Sequence, residues 1–158
     1  MKTWTVMAQK GGVGKTTTVV NLAGVLTARG ARVLAIDLDP HGSLTSYFGF
    51  DPEQDEGSVH ELFDAAVGER AVDVTRLPRR TVVDKLEIIT SATALVSLER
   101  RCGQVKGMGR VLNRHLPKLE SRYDYCLIDC PPTLGMLVIN AFAACELLVV
   151  PMQCEELA

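Results

Sequence analysis

At 158 residues the chain is about one domain long, and its 47% hydrophobic and 23% charged content can bury a sizeable core, which excludes global disorder. Aromatic residues make up only 5%, so the apolar content is chiefly Val, Leu, Ala and Ile, suited to strands covered on both faces by small-residue helices. The net charge of −2 excludes a strongly basic or acidic protein overall, yet it hides an uneven distribution: eight acids against one base over residues 51–75, then eleven bases against four acids over residues 76–122. The longest uncharged apolar stretch, Cys130 to Cys145, is interrupted by Pro131, Pro132, Gly135 and Asn140 and does not read as a membrane span. No basic segment leading into an apolar run opens the chain, so no secretory signal is expected. Five cysteines without a paired CxxC point to reduced thiols and an intracellular protein.

Thr3 to Ala8 reads as a short buried strand, followed at once by Gly11, Gly12 and Gly14. From Lys15 the apolar residues Val19, Leu22, Ala23, Val25 and Leu26 recur at helical spacing, with Gly30 as the stop. Arg32 to Asp37 is a second strand, ending in the turn-rich run Asp37-Leu38-Asp39-Pro40-His41-Gly42. Ser58 to Ala66 reads as a short helix, with Ser58 as N-cap and Glu61 completing a capping box. Leu86 to Thr90 is a third strand, and helical patterns follow over Thr93 to Arg101 and Met108 to His115, with Pro117 limiting or kinking the second. Tyr125 to Asp129 is a fourth strand, Thr133 to Ala144 a helix and Glu146 to Pro151 a fifth strand. Gln153 to Ala158 looks like the start of a further loop and helix. Lys106, Arg110 and Arg114 are four apart and are expected along one side of a helix, which suits either a solvated face or contact with a phosphate backbone.

Strands alternating with helices predict an α/β fold with a mainly parallel sheet and helices on both faces. Ligands in such folds sit at the carboxyl ends of the strands, where the glycine- and Asp-rich loops lie. The first of these loops reads Gln9-Lys10-Gly11-Gly12-Val13-Gly14-Lys15-Thr16-Thr17. Gln9 stands where a strict Walker A motif has its first glycine, but Gly14-Lys15-Thr16 fits. The glycines let backbone N–H groups converge on phosphate oxygens at a helix N-terminus. Lys15 is then placed for the β- and γ-phosphates and Thr16 for Mg²⁺. Cys126-Leu127-Ile128-Asp129 is an apolar strand ending in Asp, the Walker B pattern for organising the metal shell. Asp37 and Asp39 put two carboxylates at the end of the second strand, which suits a nearby cation or attacking water; a turn begun by Asp39-Pro40 is the simpler alternative.

These residues resemble the ParA/Soj/MinD ATPases, a P-loop NTPase family of SIMIBI type with a deviant Walker A motif. The resemblance is carried by Ala8 to Ala23, Val33 to Thr45, Tyr123 to Gly135 and Val149 to Ala158, in family order. Gln9 before Lys10, and Asp-Leu-Asp-Pro, look closer to the ParA/Soj branch than to MinD. The resemblance implies that residues 1–158 are the N-terminal part of a single ATPase domain, since partition ATPases of this kind are longer. It makes Lys10 a signature lysine acting across a dimer, Lys15 the phosphate-loop lysine and Asp39 the residue that positions the attacking water. Gly11, Gly12, Val13, Gly14, Lys15, Thr16 and Thr17 would cradle ATP, Thr16 and Asp129 would serve Mg²⁺, and Asp37 would belong to the metal site while supporting the first switch loop. Pro131 and Pro132 would begin the second switch. His41 and Ser43 stand where many relatives carry Gln and Asn.

The function so implied is an ATPase that binds Mg-ATP, dimerises and hydrolyses ATP to partition or position DNA or another intracellular cargo. The implied partners are a second copy of the chain, a ParB-like adaptor and non-specific DNA, in a cytoplasmic protein able to associate with the nucleoid. Two alternatives stand beside it: a MinD-type ATPase or one positioning flagellar or chemotaxis clusters, of the same family, and an ATP-dependent metabolic enzyme of amidotransferase or carboxylase type on the same fold. An iron–sulfur cluster, as in the nitrogenase iron protein, is not expected of Cys102 and Cys130, because Cys130 follows Asp129 immediately. A non-hydrolysing scaffold is opposed by Asp39.

Overall fold

The computed structural model describes residues 1–54, 56–103 and 105–154. Six strands form one sheet: β1 (Lys2–Val6), β2 (Val33–Asp37), β3 (Arg79–Arg80), β4 (Leu86–Ile89), β5 (Tyr125–Asp129) and β6 (Leu147–Val149). Their spatial order is β3-β4-β2-β5-β1-β6, and every pairing is parallel except the antiparallel β3–β4 edge. Between them run α1 (Lys15–Ala28), α2 (Ser43–Tyr47), α3 (Val59–Val67), α4 (Leu95–Cys102), α5 (Val111–His115) and α6 (Met136–Ala144).

The alternation within each strand sorts the core into two layers. Val33 and Ala35 of β2 and Leu127 of β5 pack with Val19, Ala23 and Leu26 of α1. Leu34 and Ile36 of β2, with Cys126 and Ile128 of β5, face the layer built by Phe63, Leu98, Leu112 and Val138 of α3 to α6. Helices therefore cover both faces of a mainly parallel sheet, as the sequence pattern predicts. Its two edges differ. β3 is two arginines long, whereas β6 exposes Leu147 by 46% and Leu148 by 44%.

Several local expectations change. The segment after β2 turns into α2, too short for periodicity to reveal, after Gly42 at φ 62°. A Cβ at Gly42 would lie 2.4 Å from the Pro52 Cβ, so the close approach as well as the dihedral requires glycine. Ser58 caps α3 by accepting from the His60 N–H, and Glu61 accepts from the Gly57 N–H. Lys106, Arg110 and Arg114 do not share a helix: Gly107 at φ 82° separates Lys106 from a 3₁₀ turn at Met108–Arg110, and only Arg114 lies in α5. After His115 the chain passes into a second 3₁₀ turn, Leu116–Leu119, with Pro117 inside it. The helix expected from Thr133 begins at Met136, because Gly135 serves as its N-cap in extended conformation. Of the loop and helix expected over Gln153 to Ala158, residues 155–158 lie outside the described residues.

Candidate functional site

The loop between β1 and α1 sits at the carboxyl end of the sheet. Gly12 (φ 75°) and Gly14 (φ 90°) adopt left-handed backbone that other residues rarely tolerate. Gly14 is the N-cap of α1, which has no side-chain cap and no acidic residue in its first turn. The start of this 14-residue helix is thus left as a concentration of N–H donors and positive dipole, suited to phosphate.

Strand register brings the acids to this end. Asp129 of β5 pairs with Val6 on one side and with Asp37 of β2 on the other. Both carboxylates are buried. Thr16 Oγ1 donates to Asp129 Oδ2 at 2.6 Å, tying the first turn of α1 to the end of β5. The other oxygen, Asp129 Oδ1, is buried and has no hydrogen-bond donor among the described residues. Desolvation, reinforced by Asp39 and opposed by the Thr16 hydroxyl and by Lys15, pushes the Asp129 carboxyl up to about 6. Desolvation and the nearby Asp129 charge push Asp37 up to about 7, against the hydrogen bonds it accepts.

Asp37 is engaged at both oxygens. Oδ1 accepts from the Asp39 N–H at 3.0 Å, and Oδ2 accepts from the Thr45 N–H at 2.8 Å and the Thr45 hydroxyl at 2.7 Å. Its carboxylate holds the loop after β2 and the start of α2. Asp39 faces the open side with its side chain 14% exposed; its Oδ1 accepts from the His41 N–H at 3.0 Å and lies 2.9 Å from His41 Nδ1.

A cavity of about 440 Å³ gathers Gly11, Gly12, Gly14, Lys15, Thr16 and Thr17 with Asp39, His41, Ser43 and Pro132. Asp37 and Asp129 are absent from its lining. Lys10 and Val13 line a neighbouring cavity of about 380 Å³ with Met7, Val150 and Met152, beyond the end of β6. The loop residues expected to act together therefore divide between two adjoining hollows. Thr45 and Ser91 were not expected at the site, although Ser91 follows a strand at the carboxyl end of the sheet, where ligand-binding loops gather.

A family model described as an AAA domain matches residues 1–158. The chain belongs to that family. It is 41% identical over 148 residues to the sporulation initiation inhibitor protein Soj of Bacillus subtilis, an alignment covering 93% of this chain and 56% of Soj. It is 36% identical over 147 residues to the chromosome partitioning protein ParA of Myxococcus xanthus, covering 93% of this chain and 50% of that protein. Within the AAA-domain family, these relatives bear out the resemblance to the ParA/Soj branch. The fold also matches cobyrinic acid a,c-diamide synthase from Mycobacterium smegmatis with bound ATP analogue and magnesium, with TM-score 0.88, 38% identity and coverage of 98% of this chain and 61% of that one. The chain spans about half the length of the curated relatives it matches. Among the described residues no helix is long and apolar enough to cross a membrane.

Proposed function

We propose that this chain carries the nucleotide site of a ParA-like ATPase, which binds Mg-ATP, pairs with a second copy and hydrolyses ATP to partition or position cargo. The observation that carries this reading is the junction of Thr16 with Asp129. A hydroxyl and a buried carboxylate meet beneath the phosphate loop, and Asp129 Oδ1 has no hydrogen-bond donor among the described residues. Among the described residues no three His, Cys, Asp or Glu are grouped to hold a metal alone. That suits Mg²⁺, which is commonly held by one or two protein oxygens together with substrate phosphates. The donor set fits: Thr16 would hold the ion, with Asp129 organising its surroundings. Bound there, Mg²⁺ supplies neutralisation of the negative charge on the β- and γ-phosphates.

The chain's own residues do the rest. The N–H groups of Gly11 to Gly14 and the start of α1 receive phosphate oxygens, and Lys15 adds a point charge. Thr17 lines the same cavity and is assigned to the α-phosphate. Asp39 orients a water towards the γ-phosphorus. Lys10, exposed beside the second cavity, is assigned to the nucleotide of a facing copy. A ParB-like adaptor, non-specific DNA and nucleoid association in the cytoplasm complete the proposal for the whole protein, supported by the likeness to Soj and ParA. The test is isothermal titration of Mg-ATP. Lys15→Ala is expected to abolish measurable binding, and unchanged affinity would remove the phosphate-loop assignment.

The likeness to cobyrinic acid a,c-diamide synthase favours one second reading, an ATP-dependent metabolic enzyme on the same fold. Turnover accelerated by DNA and an adaptor protein supports partition. Turnover accelerated by a small carboxylic acid supports the enzyme.

A further inference from the structure

A closed ring of hydrogen bonds holds the backbone of Asp39. It starts at the Asp39 N–H, which donates to Asp37 Oδ1 at 3.0 Å. Asp37 Oδ2 accepts from the Thr45 hydroxyl at 2.7 Å. The Thr45 oxygen in turn accepts from the Ser91 N–H at 2.8 Å. The Ser91 hydroxyl then donates to the Asp39 carbonyl at 2.6 Å, which closes the ring. Three separate segments take part: the end of β2, the helix α2 and the residues just after β4. Pairing of β2 with β4, with Ile36 opposite Ile89, brings the first and last of these side by side.

The three supporting residues, Asp37, Thr45 and Ser91, are each 0% exposed. Asp39 instead lines the phosphate-loop cavity, with its side chain partly exposed. Both polar backbone groups of Asp39 are tied in this ring, and its Oδ1 also accepts from the His41 N–H. Buried, mutually satisfied networks of this kind fix geometry tightly. We infer that Ser91, with Thr45, is a positioning residue that sets the direction of the Asp39 carboxylate for water activation. This inference rests on the ATPase reading of the site. Neither residue touches the phosphate-loop cavity, so neither is assigned contact with nucleotide.

The experiment measures steady-state ATP turnover and Mg-ATP affinity of the full natural protein and four variants, well below their unfolding temperatures. Ser91→Ala removes one donor and strands no buried N–H. It is expected to lower kcat roughly 10- to 100-fold, as a misplacement of the order of 1 Å does, with affinity within about twofold of wild type. Thr45→Ser keeps the hydroxyl and is expected to retain more turnover than the isosteric Thr45→Val. If Thr45→Val fails to fold, the Ser91→Ala result alone decides. Wild-type kcat in Ser91→Ala, or loss of affinity in step with kcat, overturns the positioning role. Asp39→Ala separates the two levels. If it lowers turnover while Ser91→Ala does not, only this inference fails; if Asp39→Ala turns over normally, the water-activating role of Asp39 fails with it.

Discussion

Two acids on neighbouring strands, Asp37 and Asp129, are buried at the same end of the sheet; the Asp129 charge raises the cost of ionising Asp37, and Asp39 raises that of ionising Asp129. Their carboxyls, pushed up to about 7 and about 6, bind protons more readily in the folded chain than in the unfolded one. The sign follows from linkage: stability falls as pH rises from the ordinary carboxylate range, about 4, through about 7, and levels off above. Thermal unfolding between pH 4 and 8 checks this, and Asp37→Asn is expected to flatten most of the slope. A flat profile would mean that both groups ionise in the fold as freely as in the unfolded chain. Added Mg²⁺ with nucleotide is expected to weaken the slope as well, because a cation beside Asp129 favours its charged form.

At the scale of elements, much of the fold was legible because the local signals were strong. Tyr125 to Asp129 is a strand with the bounds its apolar run implies, and Ser58 caps α3 as its position before a periodic segment requires. The elements that escaped were short ones: β3 with two residues and α2 with five carry too few side chains for a period to emerge. The basic stripe misled because spacing alone cannot reveal a left-handed residue, and Gly107 turns the chain between Lys106 and Arg110. The phosphate loop was legible from its contiguous glycines. The ring through Thr45 and Ser91 was not, since its partners lie 46 residues apart and meet only through sheet pairing. The join between β2 and α2 is sensitive in its own right. Gly42→Ala would force φ 62° on an alanine and drive its Cβ into Pro52. A loss of about 1–3 kcal/mol in urea unfolding is expected, and an unchanged midpoint would show that Pro52 yields freely.

Across the whole molecule the sheet is protected unevenly. Strand edges that expose apolar residues are templates for unwanted pairing, and charged or very short strands blunt them. Leu148→Lys places a charge on the exposed β6 and is expected to reduce concentration-dependent light scattering. It should move Tm by no more than about 2 °C, as a surface change does in a chain of this size. Equal scattering from both proteins would place the association surface elsewhere.

The sheet therefore has a direction of growth. On the β3 side the neighbouring pairing is antiparallel and the last strand is Arg79-Arg80, so a newcomer meets two cations and only two residues of ladder. On the β6 side a newcomer meets leucines beside a strand that already runs parallel to β1. Any segment that lengthens this sheet, from the same polypeptide or another, is steered to the second side, next to the phosphate loop. Extension of the sheet and the chemistry of the loop would then be felt at the same end of the molecule.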